Sequence, residues 1–127
     1  MEVKGYQEWF NKAEEDEFAG NEILDGERFP APACFHFQQV AEKYLKGFLI
    51  FHSKPFAKVH DLLELETLLQ NREPEIVELH SDLEKLNRYY VETRYPGDYP
   101  EFTIKDCEEA RESAMRIKEF VLNKIKK

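Results

Sequence analysis

Basic residues are in the minority: 18 Lys and Arg stand against 26 Asp and Glu among 127 residues, a net charge of −8. A chain that grips nucleic acid over its whole surface carries the opposite sign, because phosphate binding is driven by Lys and Arg. Cysteine is scarce as well. Cys34 and Cys107 stand alone with no CxxC spacing, which suggests neither a zinc site nor a disulfide framework. No apolar run approaches the roughly 20 residues a membrane span needs, so no membrane partner is expected. The opening MEVKGYQEWF lacks the basic-then-apolar layout of a secretory signal, and a cytoplasmic protein is the expectation. Carboxylate-rich bundles that hold di-iron need Glu-x-x-His on paired helices. Ala33, Leu49, Ala57 and Val77 stand three residues before the histidines, so that motif is missing and neither metal nor cofactor is expected. Strand-like alternation, internal repeats and low-complexity tracts are also absent, and residues 1–127 read as one domain.

Glycine and proline, 5 and 6 in number, fall in clusters, which is how a helical chain punctuates itself. Tyr6 to Asp25 carries Trp9, Phe10, Ala13, Ala19, Ile23 and Leu24 at helical spacing, with an acidic outer face. Gly26 and Pro30 close that helix and open the next. From Pro32 to His52, Ala33, Cys34, Phe37, Val40, Ala41, Tyr44, Leu45 and Phe48 fill one arc of a helical wheel, and Gln39, Lys43 and Lys46 share the opposite arc. Asp61 to Gln70 predicts a short helix capped by Asp61. Glu75 to Glu92 predicts another, through Ile76, Leu79, Leu83, Leu86, Tyr89 and Tyr90. After the Pro-Gly loop Arg94 to Phe102, Thr103 and Asp106 form a capping box for a last helix with a narrow seam of Ile104, Cys107, Ala110, Ala114, Ile117, Val121 and Ile125. The expected fold is all-α, an antiparallel up-and-down four-helix bundle with an additional short helix. Cys34 and Cys107 both fall on apolar arcs and read as small core residues.

Charge is uneven along the chain. Residues 1–27 hold nine acids and two lysines, and residues 61–84 hold eight acids and one arginine. Between them, residues 36–60 carry Lys43, Lys46, Lys54 and Lys58 against Glu42 alone, with His36, His52 and His60 added. Residues 85–96 contribute Lys85, Arg88 and Arg94 against Glu92. Such lysines can be a solvated helix face. Gathered at one end of a bundle, they would instead make a small anion site for a nucleotide or RNA phosphate. His60, beside the expected helix start at Asp61, could then work with backbone N–H donors. Arg94 could offer a bidentate contact. Tyr89, Tyr90, Tyr95 and Tyr99 lie nearby and could stack a base or fill the core.

Gln38-Gln39-Val40-Ala41-Glu42-Lys43-Tyr44-Leu45-Lys46 resembles the QQAAEKALK helix of the HEPN family, the higher eukaryote and prokaryote nucleotide-binding domains. Three further marks agree in order: Cys34-Phe35 just upstream, Val59-His60-Asp61-Leu62-Leu63 resembling an H-D-L turn, and Arg94-Tyr95-Pro96 resembling an R-Y-P element. Trp9-Phe10 with Ala13-Glu14 also fits, so the resemblance spans nearly the whole chain.

The resemblance implies a helical bundle that often forms a homodimer and works beside a minimal nucleotidyltransferase partner, as in toxin–antitoxin pairs. Many members of that family are metal-independent ribonucleases with an R-x(4–6)-H motif, the arginine binding phosphate and the histidine acting in acid–base cleavage. Here Arg94 is followed by Tyr95, Pro96, Gly97, Asp98, Tyr99 and Pro100, with no histidine. Tyrosine, with an ordinary pKa of about 10, is a poor proton shuttle near neutrality, where histidine titrates. Arg28 to His36 and Arg72 to His80 are each R-x(7)-H and do not supply the motif. The expected function is therefore a non-catalytic module, with no catalytic residue. Its nucleotide or phosphate would be held by Gln39, Lys43, Lys46, His60, Arg88, Arg94 and Tyr95. Two alternatives stand beside it: an RNA-cleaving toxin with an atypical active site, and a purely structural interaction protein.

Overall fold

The computed structural model describes residues 5–56, 58–90 and 101–126. It contains α1 (Gly5–Asp25), α2 (Pro30–Phe51), α3 (Leu62–Leu69), a 3-10 helix (Pro74–Leu79), α4 (His80–Asn87) and α5 (Ile104–Ile125), with no strand among the described residues. The fold is an all-α bundle. α1, α2 and α5 are its long members, α4 takes the fourth place, and α3 is the additional short helix.

α1 and α2 form a hairpin whose closeness depends on two glycines. A Cβ on Gly20 would lie 2.9 Å from the Phe37 ring, and one on Gly47 would lie 2.5 Å from the Phe10 ring. Phe10 near the start of α1 thus packs on Gly47 near the end of α2, and Phe37 packs on Gly20 in the reverse sense, which makes the pair antiparallel. The turn between them puts Glu27, not Gly26, in the left-handed region (φ 53°). α2 ends in the same way, with Ser53 at φ 56° and Lys54 N–H donating to the Leu49 carbonyl at 2.9 Å. That bond is the six-to-one closure of a Schellman turn.

α2 is the central rod, packed against α1, α3, α4 and α5. Its apolar arc of Ala33, Cys34, Phe37, Val40, Ala41, Tyr44, Leu45 and Phe48 is fully buried, as the spacing predicts. The opposite side is covered as well: Gln38, Glu42 and Lys46 are buried too. Lys46 is therefore an interior residue, not part of a solvated face.

The expected helix from Glu75 to Glu92 starts differently. Pro74 opens a 3-10 helix, in which residues three apart eclipse, so Ile76 and Leu79 both turn inward while Val77 stays exposed. Regular α-helix begins only at His80 and runs to Asn87. The two caps expected from sequence are present. Asp61 accepts from Leu63 N–H at 2.9 Å, and Thr103 and Asp106 exchange hydrogen bonds of 2.9 and 3.0 Å. Cys34 and Cys107 are buried, but they do not stand apart: their sulfurs are 2.9 Å from each other, between α2 and α5.

Candidate anion site

The centre of the basic stretch is an acid. Glu42, 3% exposed, sits midway along α2 with Gln38 one turn before it and Lys46 one turn after. Lys46 Nζ donates to Glu42 Oε2 at 2.9 Å, and His60 Nδ1 donates to the same oxygen at 3.1 Å. The other oxygen accepts from Gln38 Nε2 at 3.1 Å and Gln39 Nε2 at 3.3 Å. Gln39 Nε2 also reaches Gln38 Oε1 at 2.7 Å. A buried carboxylate needs this degree of satisfaction, because leaving a charge unpaired in the interior is costly. The formal charges of Lys46 and Glu42 cancel within the cluster.

Aromatic rings shape the surroundings. The Lys46 ammonium lies 5.5 Å from the Trp9 ring centroid and 5.7 Å from that of Phe56, within reach of cation–π attraction. Trp9 and Phe56 meet edge to face at 5.7 Å. His60 stacks on Tyr90, with centroids 4.4 Å apart and planes inclined by 14°. Tyr90 follows Tyr89 and Arg88 directly in the chain, just past the end of α4. Arg88 donates to the Tyr89 hydroxyl at 2.9 Å and stands 3.9 Å from Asp106. Its side chain is 56% exposed.

Of the residues singled out from sequence, Gln39, Lys46 and His60 thus meet on Glu42, whereas the Arg88 guanidinium is held by the Tyr89 hydroxyl and faces Asp106. Lys43 points elsewhere. It donates to Asp16 of α1, whose other oxygen takes His36 Nδ1 at 2.9 Å. Burial alone would push the Asp16 carboxyl up, but the His36 and Lys43 hydrogen bonds outweigh it and hold the group below its usual range. Lys43 therefore fastens α2 to α1. Arg94 and Tyr95 lie outside the described residues.

One expectation needs correction. His60 precedes the cap of α3, and the backbone donors that start this helix are already engaged. Leu63 N–H goes to Asp61, and Leu62 N–H goes to Asn87 Oδ1 at 2.9 Å. Asn87 in turn donates to Asp61 at 2.9 Å. The start of α3 is thus closed by protein groups and does not offer the open amides of a phosphate-binding helix terminus.

Sequence reasoning overlooked Glu42 as the hub, together with Gln38 and Trp9 as parts of its cluster, whereas Tyr90 was among the tyrosines named for stacking. The signal was present in the Gln38–Glu42–Lys46 spacing, since residues four apart are neighbours on a helix.

The HEPN domain family model matches residues 6–125. Among solved structures, TT1696 from Thermus thermophilus is 30% identical, with a TM-score of 0.78 over 96% of this chain and 99% of its own. ST0689, an archaeal HEPN homologue, is 29% identical, with a TM-score of 0.74 over 97% of this chain and 99% of its own. No curated protein matches the sequence. The match over nearly the whole chain, joined to the helical bundle and the motifs on α2, makes this chain a member of the HEPN domain family.

Proposed function

We propose that the chain is a non-catalytic HEPN module that forms a homodimer and acts with a minimal nucleotidyltransferase, in the manner of a toxin–antitoxin pair. In this reading it holds a nucleotide or RNA phosphate beside the Glu42 cluster. The observation that carries the reading is the convergence of Lys46, His60 and Gln39 on one buried carboxylate; Arg88, exposed and two residues before the Tyr90 that stacks on His60, is assigned to the same site. Glu42 largely neutralises Lys46, so in this reading the exposed His60 and Arg88 side chains are the groups left to meet an incoming phosphate. Arg94 and Tyr95, a few residues beyond Tyr90 in the chain, are assigned to the same site, and Lys43 supports it from the α1 side. The His60–Tyr90 stack offers an aromatic surface of the kind on which bases pack. With Tyr99, Pro100 and Glu101 at the three positions where R-x(4–6)-H would put a histidine after Arg94, the chain lacks the family's proton shuttle.

The experiment has two arms. Purified protein incubated with total RNA, compared with Arg94→Ala, should leave the RNA intact in both samples; Arg94-dependent cleavage would make the chain an atypical ribonuclease. Co-expression with the short nucleotidyltransferase of a neighbouring reading frame should yield a stable complex, and failure to co-purify would remove the partner. A purely structural interaction protein is the second reading. Phe18, Phe29 and Val77 favour it, being 69%, 56% and 58% exposed, with Ile50 and Phe51 exposed to a lesser degree. It predicts that neutralising Arg88 and Arg94 leaves partner capture unchanged.

A further inference from the structure

The two cysteines of this chain lie 73 positions apart in sequence, yet they face each other across the start of α2 and the start of α5 at 2.9 Å. Both are buried. No bond constrains them in this structure, and packing alone has brought together the two thiols the chain possesses. Cys107 Sγ also donates to the Pro30 carbonyl at 2.8 Å, so the contact sits where the first turns of the two helices meet. A pair of thiols this close needs only a small further approach to reach bonding distance.

We propose that Cys34 and Cys107 are a modification site: a reversible intramolecular disulfide that staples α2 to α5 when a peroxide acts as oxidant. The Cys107 sulfur, as thiolate, attacks the peroxide oxygen, breaking the O–O bond. Cys107 becomes a sulfenic acid, and the departing hydroxide takes up a proton to leave as water. The Cys34 sulfur then attacks the Cys107 sulfur, its proton leaving with the sulfenic oxygen as a second water while the S–S bond forms. Two thiols lose two electrons and two hydrogens, and one hydrogen peroxide is reduced to two waters. Cys107 is the better first nucleophile. It lies in the first turn of α5, where the helix N-terminus favours an anion. The hydrogen bond from Cys34 holds its thiol below the ordinary value, while that same shared proton and burial push Cys34 up.

Burial has two consequences. A peroxide reaches the pair only when the first turns of α2 and α5 open locally, so oxidation is slower than that of a solvent-exposed thiol. Once formed, the bond closes a loop of more than seventy residues, and long closed loops give the largest entropic stabilisation. It would also clamp the point at which residues 101–103 lead into α5, one residue from the Asp106 that faces Arg88. None of this depends on the phosphate-binding reading.

The test uses the full chain treated with hydrogen peroxide, quenched and denatured. The expected result is complete loss of both titratable thiols, a mass lower by two hydrogens, a Cys34–Cys107 cross-linked peptide in the digest, and recovery of both thiols with dithiothreitol. The melting temperature should rise by about 10 °C on oxidation. Two results would overturn the proposal: both thiols still titratable, or oxygen added to one cysteine while the other stays free. Cys34→Ser and Cys34→Ala each serve as controls and should form no intramolecular link. The wild-type measurement decides the matter even if either variant folds poorly.

Discussion

Replacing Glu42 by glutamine would test whether the interior ion pair holds the centre of the bundle. The substitution keeps the shape and volume of the side chain, removes its charge, and turns one of its two accepting oxygens into an N–H donor that faces other donors. Lys46 Nζ would then lie 2.9 Å from a neutral amide instead of a carboxylate, in a place where its side chain has 7% of its surface left for water. Removing one partner of a buried pair costs about 3–5 kcal/mol. No cavity is made, and Trp9 and Phe56 still face the ammonium, so about 3 kcal/mol is expected. With a urea m-value of about 2 kcal/mol/M, the midpoint would fall by about 1.5 M. Lys46→Met leaves Glu42 with His60 and two glutamine donors and should cost less, about 1–2 kcal/mol. The double variant Glu42→Gln/Lys46→Met buries no charge at this position. It should recover about half of the Glu42→Gln loss, with a coupling of about 3 kcal/mol in the double-mutant cycle. Urea unfolding followed by helical circular dichroism measures all four proteins. A Glu42→Gln midpoint equal to wild type, or a double variant no more stable than the single one, would refute the reasoning.

Three further outcomes follow from the packing and the ion pairs. Gly47→Ala should lower the melting temperature despite a helix-propensity gain of about 1 kcal/mol. The new Cβ would fall 2.5 Å from the Phe10 ring, and overpacking of that kind costs about 1–3 kcal/mol. Ser53→Gly should add about 0.5 kcal/mol of stability and raise the melting temperature slightly, because φ at this position is 56°, a conformation glycine adopts without strain. At Asp82, burial alone would raise the carboxyl, but hydrogen bonds from Arg116 and Ser113 hold it below its ordinary value of 3.8. Its contribution, like that of Asp16, is therefore present above about pH 4 and lost as acid titrates the folded protein below that. His80 runs the other way, raised by its hydrogen bond to Glu66. Its contribution is complete below about pH 6.5 and fades as pH rises through the raised value. Urea midpoints measured across pH should show the acid limb shrink in Asp82→Asn and the alkaline decline shrink in His80→Gln.

What could be read from sequence was what local chemistry controls. Thr103 and Asp106 form the capping box their spacing implies, because both partners lie within one turn. The apolar arc of α2 is buried as its periodicity predicts. Periodicity also misled, because it describes one face of a helix and not what covers the others. Lys46 shares an arc with Gln39 and Lys43, yet Trp9 and Phe56 close over it and Glu42 neutralises it, so a charged side of the wheel became interior. The proximity of Cys34 to Cys107 was invisible for a related reason: it depends on how α5 docks against α2, and no local spacing encodes that. The 3-10 start before α4 escaped notice since Ile76 and Leu79 suit either helix type. The family motifs lie on the stretch of α2 that holds Gln39, Glu42 and Lys46, but which cations meet and which acid gathers them emerged only from the packing.

The most direct measurement of the central claim is equilibrium binding of fluorescent ATP and of a short single-stranded RNA, across salt concentrations, to wild type, Arg88→Ala, Arg94→Ala and Lys43→Ala. The account predicts saturable binding at low salt. For RNA, two or three phosphate contacts correspond to a log–log salt slope of about −1.4 to −2. Arg88→Ala and Arg94→Ala should each weaken binding and flatten that slope, while Lys43→Ala, whose charge is engaged by Asp16, should have the smaller effect. Absence of saturable binding at low salt, or affinity indifferent to both arginines, would contradict it.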